Sequence, residues 1–358
     1  MSDAGVAVIG YGLAGSVFHA PLVSATPGLE LRAVVTANPE RRSRAAASFP
    51  GVRLPATADE LWNDLSGIDL VVVATPNHLH APQAIAALET GRAVVVDKPM
   101  ALNIVEADAM LAAAERSRRP LAVFHNRRWD SDFLLLRELV SGDELGDLLR
   151  VESRFERFRP RPARGTWRVE LSPETGGGRL LDLGSHLIDQ ALLLCGQPVG
   201  VYAEISQVRP GSGSDDDSFL ALTFPGGARA HLWMTDLAPS VGPRWRAWGS
   251  RAALEVWGLD PQEDHLRAGR RPGDPGFGGP DGSQRAVLTM GTEEGGSAQE
   301  TQLPAGRWGE FYAAMAAAIR GEAAVPVAAE AGWDVLAVIE AARRSAESGS
   351  VIQPRRRD

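Results

Sequence analysis

The chain has 358 residues, 44% of them hydrophobic and 23% charged, which is an ordinary globular composition and long enough for two domains of about 150 residues each. A net charge of −8 points away from nucleic-acid and membrane surfaces as partners, and no apolar run approaches the roughly 20 residues of a membrane span. The single cysteine, Cys195, excludes a disulfide within the chain; with no signal-peptide pattern at the N-terminus, a soluble cytoplasmic protein is expected.

The first 124 residues alternate strand and helix patterns. Strands are expected at 5–9, 29–35, 52–54, 69–74, 93–97 and 120–124. Capping boxes at 57–60 and 103–106 start helices, and Pro82 fits the first turn of a helix that begins after His80. The run 70–74 is continuously apolar and β-branched, as expected of a strand buried on both faces. This alternation predicts βαβ units, hence a doubly wound parallel sheet of the Rossmann type over residues 1–124.

The first strand runs straight into Gly10-Tyr11-Gly12-Leu13-Ala14-Gly15, a G-x-G-x-x-G turn followed by a helix-compatible stretch. With 38 glycines in the chain, chance matches are expected, and the strand–turn–helix context decides. Gly10 permits the tight turn, Gly12 lets the backbone approach a pyrophosphate, and Gly15 lets helix and strand pack closely. The helix N-terminus then offers free N–H groups to the phosphates.

After His125 the pattern changes. Helices are expected near 130–140 and 180–195, and a strand near 147–158. Several strand-like runs between 199 and 257 predict a large, mostly antiparallel open sheet in an α+β domain over 125–358. The stretch 260–300, rich in Gly, Pro and Asp, reads as a long connection with strands near 285–290 and 299–303. Helices near 307–320 and 328–347 close the chain, the last expected to pack back towards the Rossmann domain.

Ligands of open α/β sheets sit outside the carboxyl ends of the strands. Three expected strand ends carry polar clusters: Thr75, Pro76, Asn77 and His80; then Asp97, Lys98 and Pro99; then Asn126, Arg127 and Arg128. Together with the glycine turn they outline one crevice. Lys98 emerges at the rim of a buried strand, where a partly desolvated lysine can serve as acid, base or electrostatic anchor. In the second half, Gly176, Gly177 and Gly178 precede Asp182, His186 and Asp189, whose spacing puts all three on one helix face. A carboxylate one turn from a histidine can fix its tautomer and tune a proton acceptor. No third ligand stands at zinc spacing, so no metal is expected.

These segments together resemble the glucose–fructose oxidoreductase / inositol dehydrogenase (Gfo/Idh/MocA) family. The resemblance is carried by VIGYGLAG at 8–15, ATPNHLHAP at 74–82, DKPMA at 97–101 and GGRLLDLGSHLIDQ at 177–190. It covers nearly the whole chain. The family's usual Glu-Lys-Pro stands here as Asp97-Lys98-Pro99, with the lysine kept. The resemblance implies that Lys98, Asp182 and His186 form the catalytic group and that the C-terminal sheet makes a homodimer or homotetramer. GYGLAGSVFHAP at 10–21 and FHNRRWDSDF at 124–133 look most like bacterial NADP-dependent scyllo-inositol dehydrogenases.

NAD sites usually place an acidic residue about 20 positions after the glycine turn, on the ribose 2′-hydroxyl. Here the second strand ends in Thr36, Ala37 and Asn38, followed by Arg41 and Arg42. A hydroxyl and a guanidinium suit a 2′-phosphate, so NADP(H) is expected as the preferred cofactor, with NAD possible. Its expected contacts are Gly10, Gly12, Leu13, Ala14, Gly15, Thr36, Asn38, Arg41, Thr75, Pro76, Asn77, His80, Lys98, Pro99, Asn126, Arg127 and Trp167. The loop residues Arg157, Arg159, Arg161, Arg164 and Arg168 add candidates for closing over cofactor or substrate. The expected reaction is hydride transfer between nicotinamide C4 and a secondary alcohol of a polyol, inositol or sugar. His186 is the candidate base and Lys98 the oxygen anchor, although the two could exchange roles. The rival readings are a non-redox glycosidase that uses NAD and a catalytically silent cofactor-binding sensor.

Overall fold

The computed structural model describes residues 3–162 and 171–357, which form two compact units. The first runs to Asn126 and includes Gln262–Phe277 and Arg307–Trp333; the second comprises Arg127–Pro261, Gly278–Gly306 and the residues from Asp334 onward.

The first unit is built on five parallel strands: β1 (Ala4–Ile9), β2 (Leu29–Val35), β3 (Leu70–Val73), β4 (Ala93–Val96) and β5 (Leu121–Val123), in the order β2-β1-β3-β4-β5. Every residue of β3 and β4 is buried, as their valine runs predict for strands covered on both faces. The strand expected at 52–54 is reduced to one parallel bridge between Arg53 and Ala33. Arg53 N donates to Arg32 O at 2.9 Å, and Val34 N to Arg53 O at 2.9 Å. Gly51, at φ +86°, and Pro55, which lacks a donor, limit it on either side. With that bridge counted as a strand, the order becomes the 3-2-1-4-5-6 of dinucleotide-binding sheets. At the opposite edge Ala328 bridges Ala122, so that edge too is covered.

Helices start where the capping residues predict. Asn38, Thr57 and Asn103 each accept a backbone N–H three residues on, from Arg41, Glu60 and Glu106. The stretch after the glycine turn differs from a plain helix: Ala14–His19 is π-helical and Ala20–Ser24 is α-helical. Two later segments complete this unit, the helices Gln262–Arg267 and Gly309–Ile319. Phe311 and Tyr312 of the latter pack on Phe124 just beyond β5, with ring centroids 4.9 and 5.8 Å away.

The second unit carries eight strands: β6 (Leu148–Glu156), β7 (Gly200–Ser206), β8 (Asp217–Thr223), β9 (Arg229–Thr235), β10 (Trp245–Gly249), β11 (Ala252–Trp257), β12 (Arg285–Thr292) and β13 (Gly295–Thr301). Their order is β13-β12-β11-β10-β6-β9-β8-β7, antiparallel throughout except for the parallel β6–β9 pair. Ala230, Leu232 and Met234 alternate inward with Leu220, Leu222, Leu254 and Val256 to form the core. The helix Ser185–Cys195 covers this face with buried Leu187, Ile188 and Ala191. The stretch 260–300, expected as a long connection with strands near 285–290 and 299–303, holds the helix Gln262–Arg267 and then the β12–β13 hairpin. The last helix, Ala329–Ser348, has its first turn in the first unit, where Trp333 Nε1 donates to Asp108 at 2.7 Å. Its remainder belongs to the second unit, where Ser345 Oγ accepts from Ala203 N at 3.0 Å. Among the described residues no helix is long and apolar enough to cross a membrane.

Candidate active site

In the first unit the polar groups gather at the carboxyl ends of β1, β3, β4 and β5. Gly10 turns the chain at φ +95°, and a Cβ there would lie 2.5 Å from Ala74 O at the end of β3. A Cβ on Gly15 would collide with the Gly10 carbonyl, so backbone crowding fixes both glycines, from the end of β3 at Gly10 and from the turn itself at Gly15. Gly12 differs: the nearest atom to a Cβ there is Arg41 Nη1 at 4.0 Å, which leaves its backbone open to approach. Leu13 is exposed beside it, and Ala14 is buried under the turn.

The end of β2 carries buried Thr36, and Arg42 Nη1 donates to its carbonyl at 3.4 Å. Asn38 uses its side-chain oxygen as the cap of the helix Pro39–Ser48. Beyond β3, Thr75 donates to Gln83 at 2.9 Å, Pro76 is half-buried and Asn77 is buried. His80 is wholly buried, with Nδ1 2.8 Å from Pro99 O and Nε2 2.9 Å from Thr75 O. It thereby ties the loop after β3 to the loop after β4. Asn126, after β5, is buried.

Lys98 stands half-buried beyond β4. Of the 37 lysine and arginine residues, it is the single lysine. That count was readable in the sequence and is a sharper signal than its position on the strand rim. In front of it, Asp97 is buried and accepts Lys98 N at 2.9 Å. Burial opposes ionisation of Asp97, but the His19 ring and the charges of Lys98 and His80 outweigh it and hold the carboxyl at about 2. The stabilisation this gives the fold is therefore present above the ordinary carboxyl value of 3.8 and is lost as the pH falls through about 2.

In the second unit, Gly177 and Gly178 lead into a π-helical turn, Leu180–Gly184, and then into the helix Ser185–Cys195. The expectation of one regular helix over 180–195 is corrected here. Gly184 lies so close to β9 that a Cβ would sit 2.8 Å from Met234 Sδ. π-turns of this kind recur at functional sites. Asp182 lies in the π-turn and His186 at the start of the α-helix, where it is buried with its ring 6.3 Å from that of Phe155.

The carboxylates of this constellation have strong partners, one local in sequence and one remote. Arg179 Nη1 donates to Asp182 at 3.0 Å, while its Nε donates to buried Asp236 at 2.7 Å. Asp236 also meets Arg209 at 2.9 Å, and Arg209 holds Asp216 at 2.9 Å. Asp182 is thus the outer end of a carboxylate–guanidinium ladder. Asp189 is gripped by Arg128 through a two-pronged pair at 2.8 and 2.6 Å. Arg127 is buried, pairs with Asp130 at 3.1 Å and lies 4.8 Å over the Phe155 ring. Trp167, Arg164 and Arg168 lie outside the described residues. Cys195 ends its helix half-buried, and burial pushes its thiol up to about 12, as expected of an inert group. Among the described residues no group of three or more His, Cys, Asp or Glu is arranged to hold a metal ion.

Comparison with known proteins finds similarity along nearly the whole chain. Residues 4–125 match the family model described as the oxidoreductase family's NAD-binding Rossmann fold, and residues 137–353 match its C-terminal alpha/beta domain. The chain is 41% identical to the oxidoreductase YdgJ of Escherichia coli strain K12, over 96% of each chain. It is 36% identical to the scyllo-inositol 2-dehydrogenase (NADP(+)) IolW of Bacillus subtilis strain 168, over 97% of this chain and 95% of that one. The solved structure of yvaA from Bacillus subtilis superposes with a TM-score of 0.92 at 34% identity, over 99% of each chain.

Proposed function

The chain belongs to the Gfo/Idh/MocA family of NAD(P)-dependent oxidoreductases, and from that premise we propose that it transfers hydride between NADP(H) and a secondary alcohol of an inositol or related polyol. The observation that carries this reading is Lys98, the single lysine, placed at the carboxyl end of β4 in the unit that bears the glycine turn. In the oxidative direction His186 takes the hydroxyl proton. Lys98 donates to the substrate oxygen and stabilises its developing negative charge, and Asp182 is held by Arg179 for the substrate hydroxyls or the histidine. The cofactor supplies the hydride acceptor at nicotinamide C4; its pyrophosphate would rest on the open backbone of Gly12. The full-length similarity to a scyllo-inositol 2-dehydrogenase supports the substrate class.

Absorbance at 340 nm, with purified protein, NADP+ or NAD+ and a panel of inositols and sugars, tests the reading. Reduction of NADP+ by scyllo-inositol is expected. Consumption of a glycoside without net cofactor reduction would replace this reading with the non-redox one.

The end of β2 supports a preference for NADP(H). It carries Thr36 rather than a carboxylate, and the Arg41 guanidinium lies beside Gly12. Arg41→Ala should therefore weaken NADPH binding by about 10- to 100-fold, the worth of one charge-assisted contact to phosphate, and leave NADH binding nearly unchanged. Equal weakening of both cofactors, read by fluorescence titration at fixed ionic strength, would remove the assignment.

As macromolecular partner we propose a second copy of the chain, seated on the face of the eight-stranded sheet opposite its buried core. Phe219, His231, Trp233 and Trp248 project there, with Arg154 4.1 Å over Trp233 and Arg150 3.7 Å over Trp248. Sedimentation velocity should show a dimer or tetramer; a monomer at micromolar concentration would contradict this.

A further inference from the structure

We propose that Asp236 and Arg209, both buried and remote in sequence from Asp182, are positioning residues for that carboxylate and act on it through Arg179. The inference deepens the proposed function, because it rests on Asp182 serving the substrate hydroxyls or His186.

Three segments of the second unit meet at the end of β9. Residues 157–159 pair with 235–238: Arg157 N donates to Thr235 O at 2.9 Å, Arg159 N to Asp236 O at 2.7 Å, and Ala238 N to Arg157 O at 3.0 Å. Asp236 N donates to Asp216 O at 3.0 Å, so both backbone polar groups of Asp236 are bonded. The turn that leads to Asp182 is tied to the same place. There Arg179 N donates to Asp215 O at 3.1 Å, and Leu180 N to the Asp215 carboxylate at 2.7 Å.

The side chains continue this scaffold. Asp236 Oδ2 accepts Arg179 Nε at 2.7 Å and lies 2.6 Å from Arg179 Nη2 and 2.9 Å from Arg209 Nη2. Arg209 is fixed in turn, with Nε donating to Asp216 at 2.9 Å and Nη1 to Arg159 O at 2.9 Å. Two of the three Arg179 side-chain nitrogens thus face Asp236, and the third, Nη1, donates to Asp182 Oδ2 at 3.0 Å. A guanidinium is planar, so fixing the edge of Nε and Nη2 also fixes where Nη1 points. With Oδ2 held at that point, the Asp182 carboxylate resists rotation and Oδ1 takes one set position.

Along the ladder Asp216, Arg209, Asp236, Arg179 and Asp182 alternate in sign, so each buried charge has an opposite neighbour. Burial works against the Arg179 cation, but the carboxylates of Asp182 and Asp236 outweigh it and raise it above the ordinary guanidinium value. Of these five residues the first four are buried, and Asp182 is partly exposed. The ladder therefore runs from a sealed interior to the one side chain that the proposed function sets against substrate.

A double-mutant cycle tests the link. Arg179→Gln removes the guanidinium and leaves Asp236 paired with Arg209, so the fold is expected to survive. It should lower kcat/KM for scyllo-inositol about 10- to 100-fold, the usual effect of a slightly misplaced group, mainly through KM and with NADPH affinity unchanged. In an Asp182→Asn protein the same substitution should change kcat/KM by no more than about twofold, because no carboxylate is left to be placed. Arg209→Lys keeps the charge beside Asp236 and loses the fork, and should show a smaller loss with the same dependence on Asp182. Equal losses in both backgrounds, or full activity of Arg179→Gln and Arg209→Lys, would overturn the proposal. Crystal structures of the two variants separate this outcome from failure of the hydride-transfer reading. If the wild-type protein reduces neither NADP+ nor NAD+ with any polyol, that reading falls, and the position of Asp182 decides the ladder. A displaced or divided Asp182 carboxylate in both variants supports it; one that stays in place in both overturns it.

Discussion

Replacing Lys98 with methionine is expected to lower kcat/KM for NADP+ reduction by scyllo-inositol on the order of 10³-fold, while NADPH affinity changes no more than a few-fold. Methionine keeps the unbranched apolar stem that leaves β4 and deletes only the cation. The loss is therefore that of one preorganised donor aimed at an oxygen that gains negative charge as hydride leaves. Because Lys98 is half-buried and its neighbours Asp97 and Pro99 are buried, the substitution removes charge without opening a cavity. A Lys98→Met protein that retains a tenth or more of wild-type turnover would refute the role given to this residue. A parallel collapse of NADPH binding would make Lys98 a cofactor ligand first.

His186→Ala should cost about 10²- to 10⁴-fold in kcat, the usual worth of a general base, with NADPH affinity retained. The residue is buried at the start of its helix, and removal of its ring leaves a space beside Phe155. Free imidazole of the right size should enter that space and restore part of the rate, in proportion to its unprotonated fraction. Rescue that rises with pH through the imidazole midpoint identifies a proton acceptor. Equal loss of turnover and cofactor affinity, a lowered Tm and no rescue would instead assign His186 to packing.

The parts of this molecule that were legible in sequence are those in which one local pattern suffices. The valine runs of β3 and β4 announced a sheet covered on both faces, and the strand running into Gly10 announced the nucleotide turn. The short bridge at Arg53 was visible as a strand, although Gly51 and Pro55 allow it only one pairing. The hairpin of β12 and β13 was only half legible because its residues share the Gly- and Asp-rich composition of a loop. The π-turns at Ala14–His19 and Leu180–Gly184 were hidden because one extra residue per turn hardly disturbs an apolar periodicity.

Site residues divide in the same way. Lys98, Asp182 and His186 stood out through local context. The remote contacts around them did not: Tyr312 meets His19, Asp236 meets Arg179 and Arg128 meets Asp189 from distant parts of the chain. Asp189, three residues from His186, looked like a companion for that histidine, and the fold pairs it with a guanidinium 61 residues away. Ion pairs of this kind are set by topology, and one sequence without its fold does not reveal them.

Hydride transfer itself is tested most directly with scyllo-inositol deuterated at its ring carbons, incubated with NADP+ and the purified protein, the NADPH product then being examined by mass spectrometry and NMR. The account predicts one deuterium per NADPH, on C4 of the nicotinamide and on one face only. NADPH formed without the label, or no NADPH from any inositol by a protein that binds the cofactor, would contradict it.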